Sequence, residues 1–272
     1  MTAAPLPAET PAAAPAAGRP AAPTTVAAVP RAARVKDRGI VRHDTLRADQ
    51  WRADGTVKVL HDVDVGSAHL TGSLSVGGGL SADAFRLRGA LEVEGVVRVR
   101  STGSVRGTFR AAGEVRAGDL TLDGVGRTGG TITVDRTLTV QGTLDAPSVT
   151  AGLLEIDGVV RIPGEVRALG VRAELGRRST LGTVVARRVR LSGHVPNLVD
   201  KAFFREDRVF VGRVEADSVE LEGVDVGFVR GKEIALGRNC HVTAVEGAVV
   251  RRHASSTVGP ESKSPPPYGL RR

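Results

Sequence analysis

Gly124, Gly126 and Gly129 fall in the spacing G-x-G-x-x-G. Between a strand and a helix, that spacing holds a dinucleotide pyrophosphate on the helix N-terminus. Here the run continues Thr131-Ile132-Thr133-Val134, which alternates apolar and polar and therefore reads as another strand. The helix that would face the phosphate is missing from the pattern. Gly77-Gly78-Gly79 lacks the Lys-Ser/Thr of a phosphate loop. The six histidines, at 43, 61, 69, 194, 241 and 253, include no i, i+2 or i, i+4 pair. His43, His61 and His69 are spaced 18 and 8 residues apart, a spacing that matches no common zinc set. Cys240 and His241 are adjacent, so a strand points them to opposite faces and no thiolate–imidazole couple forms. Asp62 and Asp64 belong on a solvated strand face. The sequence thus predicts no catalytic residue, cofactor, metal or small-molecule substrate.

What these residues sit on is a repeat. The octet ADAFRLRG at 82–89, Ala-x-x-apolar-x-apolar-x-Gly, recurs at 48–55, 117–124, 151–158, 186–193 and 216–223. Its first five copies start 34 or 35 residues apart, and the last follows after 30. A glycine series halves that period: Gly55, Gly72, Gly89, Gly107, Gly124, Gly142, Gly158, Gly176 and Gly193. A unit of about 17 residues is too short for a strand, a helix and a return strand. It suits one coil of an all-β solenoid, a parallel β-helix with roughly three short strands and three corners per coil. Alternation such as Leu91-Glu92-Val93-Glu94 gives each strand one buried face. The glycines are expected at corners, where positive φ is cheapest without a Cβ. With 34 glycines and 3% aromatic residues, the interior must consist of aliphatic ladders.

The expected boundaries are a disordered Ala/Pro-rich tail over 1–42, a β-helix over 43–248 and a disordered tail over 249–272. The pattern lapses at 194–208, where Pro196, Phe203 and Phe204 suggest a loop or short helix; it resumes at Val209 with a 15-residue step from Val219 to Ile234. Residues 1–42 and 251–272 each carry net +4 out of a total of +8, so the basic balance is assigned to the tails. Basic tails attract anionic membrane or acidic protein surfaces. They carry a single ring, Tyr268, so specific nucleic-acid binding by base stacking is not expected. No apolar run of about 18 residues and no signal-peptide pattern occurs, and one cysteine makes no internal disulfide. A cytoplasmic location, with the inner membrane face as a site of attachment, is the expectation.

The run LRADQWRADGTVKVLHDVDVGSAHLTGSLSVGGGLSADAFRLRGALEVEG resembles bactofilins, the polymer-forming bacterial cytoskeletal proteins. The stretch VEADSVELEGVDVGFVRGKEIALGRNCHVTAVEG resembles the closing segment of the longer Bacillus-type members. The resemblance spans roughly 43–248. It implies a right-handed β-helix of triangular cross-section that assembles end to end without nucleotide. It also implies a scaffold acting in cell shape, envelope organisation or motility.

Elementary physics points the same way. A solenoid's last coil exposes unpaired N–H and C=O groups, and such an edge templates further pairing. Leu46, Trp51 and Val57 at one end, and Ile234, Leu236, Val242 and Val245 at the other, are the expected stacking surfaces between copies. Two rivals are weighed. A hexapeptide-repeat acyltransferase or carbonic-anhydrase-like enzyme would need a strict six-residue beat and clustered histidines, and neither occurs. A nucleic-acid- or membrane-binding protein would act through the basic tails alone.

Overall fold

The computed structural model of the protein describes residues 31–193 and 209–259. They form one sheet of 13 strands, each hydrogen-bonded to the next in chain order and parallel to it. The strands are β1 (Ala32–His43), β2 (Leu46–Val59), β3 (Val63–Val76), β4 (Leu80–Val93), β5 (Val97–Ala111), β6 (Val115–Thr128), β7 (Ile132–Asp145), β8 (Val149–Leu175), β9 (Thr180–Gly193), β10 (Val209–Glu222), β11 (Val224–Leu236), β12 (His241–Arg252) and β13 (Thr257–Val258). This is a β-solenoid of about 12 turns with coils about 17 residues apart. The ladder runs through the corners, so most coils are one strand of 12–15 residues closed by a short turn, rather than three separate strands. At about 4.8 Å per step the stack is on the order of 55–60 Å tall.

The coil count departs from a strict 17 because several coils take an extra residue. Register shifts recur at one corner, between Ala82 and Ala84, Val99 and Thr102, Ala117 and Leu120, and Val134 and Thr137. Bulges confined to a corner absorb the extra residue, so the inward alternation along the sides is kept.

Inward residues form columns. One runs Trp51, Ala68, Phe85, Gly103, Leu120, Leu138; its neighbour runs Ala48, Val65, Ala82, Val99, Ala117, Val134. In coils 2 and 4 the large Trp51 and Phe85 share a coil with Ala48 and Ala82. In coils 3 and 5 the small Ala68 and Gly103 share a coil with Val65 and Val99. From β2 to β6 large and small compensate across the interior, which keeps close packing between coils only about 4.8 Å apart. Over these coils the packing has a period of two, in phase with the 34–35-residue repeat; at β7, Leu138 shares a coil with Val134 and the alternation ends.

Gly55, Gly72, Gly89, Gly107, Gly124, Gly142 and Gly158 all have φ between 115° and 142°. They stack in register at one corner. A Cβ on Gly89 would strike the carbonyl oxygen of Gly72, so both conformation and clearance demand glycine. Gly176 and Gly193, expected in the same series, lack positive φ. β8 spans more than one coil, which brings buried Leu175, not Gly176, into register with Gly193.

The expected boundaries are corrected at both ends. Residues 32–43 form β1, in register with β2 from Ala32↔Ala48 to His43↔Val59. β12 reaches Arg252, and Thr257-Val258 adds a last short rung on His241 and Val242. Val35 and Val41 supply the inward positions that admit 32–43 to the stack. Residues 1–30, 194–208 and 260–272, on which the rest of the expected tails and the expected loop or short helix fall, lie outside the described residues. Across that interruption the register is direct: Ala186 pairs with Ala216 and Leu191 with Leu221.

Candidate functional site

The residues first considered for chemistry serve the stack instead. Gly124 is a corner glycine between Gly107 and Gly142. Gly126 faces inward in register with Phe109 and Leu144, and the motif ends in a turn that leads into β7, a strand. Asp62 accepts a hydrogen bond from the Gly79 amide at 2.7 Å and so ties down the triple-glycine turn. His61 Nδ1 lies 3.2 Å from the Asp44 carbonyl, His241 bonds the Thr257 hydroxyl, and His253 bonds the Ser255 hydroxyl. Among the described residues, no three metal-ligating side chains come together. Cys240 is buried and its thiol is pushed up by burial, while His241 faces the other way. The Cys240 amide donates to Ser256 Oγ at 3.0 Å, which seats the final turn.

The sides of the solenoid carry ion pairs between successive coils, among them Arg100–Asp83, Arg106–Asp123, Arg136–Asp119 and Lys232–Asp217. The Arg136 guanidinium and the Thr137 amide hold the Asp119 carboxyl below the usual carboxylate range, and Lys232 does the same for Asp217. A shallow groove of about 670 Å³ lies beside the exposed Leu153 and Leu169, edged by Arg187, Arg188 and Asp217. Ser218 lines it beside Asp217, whose carboxylate is engaged by Lys232.

The two terminal coils are where the fold stops satisfying itself. Among the described residues, β1 is bonded along one side only, to β2. Five basic residues (Arg31, Arg34, Lys36, Arg38 and Arg42) and the acidic Asp37 give 31–42 net +4. All the net positive charge assigned to the N-terminal tail therefore sits on the first coil of the solenoid. Asp37 is in register with Ala53, at an inward position. Its Oδ2 accepts from Trp51 Nε1 at 2.9 Å and lies 3.0 Å from His43 Nε2. An inward-pointing charge blunts a sheet edge by penalising indiscriminate apolar pairing. Ile40 on the same coil is 91% exposed.

At the other end β13 covers only His241 and Val242 of β12. Val249 is in register with fully buried Ile234, yet is itself 38% exposed, and Val250 is 64% exposed. The sequence-predicted stacking residues are accordingly displaced inward. Trp51 and Val57 are buried beneath β1, Leu46 is buried two residues before the register with β1 begins, and Ile234 and Leu236 are buried beneath β12. Val242 lies under β13, and Val245 is buried on β12 itself. The true ends are one coil further out, and β1 was hidden because Arg, Lys and Asp at its inward and outward positions mask the strand alternation. The detectable signal was Gly39, which continues the glycine series 16 residues before Gly55.

Compared with family models, curated proteins and solved structures, the chain matches none.

Proposed function

We propose that the protein is a non-enzymatic, bactofilin-like scaffold whose solenoids stack end to end into filaments without nucleotide. The carrying observation is the pair of terminal strands. β1 is bonded on one side over nearly its whole length, and no described residue pairs its other side. Beyond Thr243, no described residue pairs the outer side of β12. A parallel ladder that stops with open N–H and C=O groups has its best partner in another copy of the same ladder. Stacking without closure yields an open filament rather than a ring. Its work is mechanical: a stiff rod on which envelope or cytoskeletal proteins, or an anionic membrane face, are organised in the cytoplasm. Sedimentation of the purified full-length protein without nucleotide tests the reading. Filaments in the pellet support it, and a monomer at every salt concentration contradicts it.

A further inference from the structure

Outward positions on the sides of the solenoid are mostly polar or small: one column runs Gln50, Ser67, Ala84, Thr102 and Asp119. On β8 that pattern breaks. Leu153 and Leu169, on successive coils, are 50% and 60% exposed and line the same groove of about 670 Å³. Gly170 opens the recess. A Cβ there would stand 3.1 Å from Leu153 Cδ2, so a larger residue would fill the space that the leucine borders.

The charges around this apolar wall are unevenly matched. Arg190 sits on the rung beside Arg172, and like charges on adjacent rungs are unfavourable. Arg190 has Glu220 at 3.6 Å, and Lys232 engages the Asp217 carboxylate at 2.8 Å. Among the described residues, Arg172 and Arg188 form neither a hydrogen bond nor an ion pair. Four arginines against Glu155 and Asp217 leave the lining at net +2.

Charge and shape together select the occupant. A flat anionic bilayer would meet Glu155 and Asp217 as well as the arginines. A peptide places each charge separately, and a guanidinium fork holds a carboxylate by two parallel bonds. From the coil of Leu153 to that of Ser218 the groove crosses three inter-coil steps, about 14 Å, the length of four or five extended residues.

We propose that this groove holds a short acidic segment of a partner protein, with an apolar side chain against Leu153 and Leu169 and carboxylates on Arg172 and Arg188. The proposal rests on the scaffold reading for its purpose, since a rod that organises other proteins needs a place to hold them.

Fluorescence anisotropy of the full-length protein with a set of labelled peptides tests it. Each peptide carries one Leu, Ile or Phe between acidic residues; matched controls replace the acids by lysine or the apolar residue by serine. An acidic–apolar peptide should bind, and added salt should weaken it. Binding should fall about tenfold, equivalent to about 1.4 kcal/mol, in Arg172→Gln/Arg188→Gln and again in Leu153→Ser/Leu169→Ser. All four positions are exposed, so thermal stability should stay near that of the wild type. Binding by none of the peptides, equal binding of either control, or binding unmoved by these substitutions would overturn the proposal. So would phosphatidylglycerol vesicles that capture the protein through the same leucines and arginines, because the face would then dock a bilayer. Sedimentation of the same variants separates the two readings. Filaments without peptide binding would remove the groove and keep the scaffold, whereas peptide binding without filaments would remove the polymer and keep the groove.

Discussion

Phe109 and Gly126 occupy neighbouring rungs of one inward column, the ring of one coil lying in register with the missing side chain of the next. A Cβ on Gly126 would come within 3.2 Å of Leu122 Cδ1 and Leu144 Cδ1. The middle glycine of a nucleotide-binding pattern in the sequence thus leaves room for the large side chains around it. Gly126→Ala should cost about 1–2 kcal/mol by overpacking, and Leu144→Val, which removes one of the two crowded methyls, should return part of that loss in the same chain. A double-mutant cycle in urea measures the coupling; strict additivity would mean the two positions do not share space.

Gly89 tests the corner ladder. Gly89→Ala places a Cβ against the Gly72 carbonyl at a φ of 134°. Strain and clash together should destabilise the stack by about 2–4 kcal/mol. Gly176→Ala, at a position without positive φ, should cost less. Equal losses in thermal denaturation would contradict the distinction.

Trp51 is the chain's one tryptophan, so its fluorescence reports on the first two coils. Trp51→Phe keeps a ring in the column but leaves Asp37 Oδ2 without the indole donor. Losing a hydrogen bond to a charged group should cost about 1.5–3 kcal/mol. The loss should be confined to the N-terminal end, read as faster amide exchange in β1 and β2 but not in β7. Uniform acceleration would argue against a local role.

Acid should loosen the ion-paired sides. Asp119 is held below its ordinary range by Arg136, and a carboxylate with a depressed pKa contributes stability that is present above the unfolded value, about 3.9. That contribution fades as pH falls through the depressed value. Asp119 is partly exposed and pairs with the exposed Arg136, so its effect is small. Asp119→Asn should flatten the acid limb of the stability profile slightly and leave neutral stability nearly unchanged. A steeper acid limb would contradict the assignment.

Much of the architecture was legible because a stacked coil repeats its own constraints. Gly55 through Gly158 mark a corner, and steps such as Val219 to Ile234 give the register directly. The 34-residue period could be seen, but the packing in phase with it could not: Trp51 beside Ala48 and Phe85 beside Ala82 are compensations across the interior, which linear spacing does not reveal. Residues 31–42 resemble a tail in the sequence because an edge coil carries charge where interior coils carry valine. Asp37 is the clearest case, an inward acid that breaks alternation. Arg252, in register with buried Leu236, is its counterpart at the other end, and neither can be recognised as a column end until the rungs are aligned.

Whether the ladder passes from copy to copy is best measured by cryo-electron microscopy of the purified full-length protein without nucleotide. The account predicts filaments with an unbroken axial rise of about 4.8 Å and a subunit repeat on the order of 60 Å. Dispersed single solenoids at low and physiological salt, or particles joined side by side with the rise broken at every end, would contradict it.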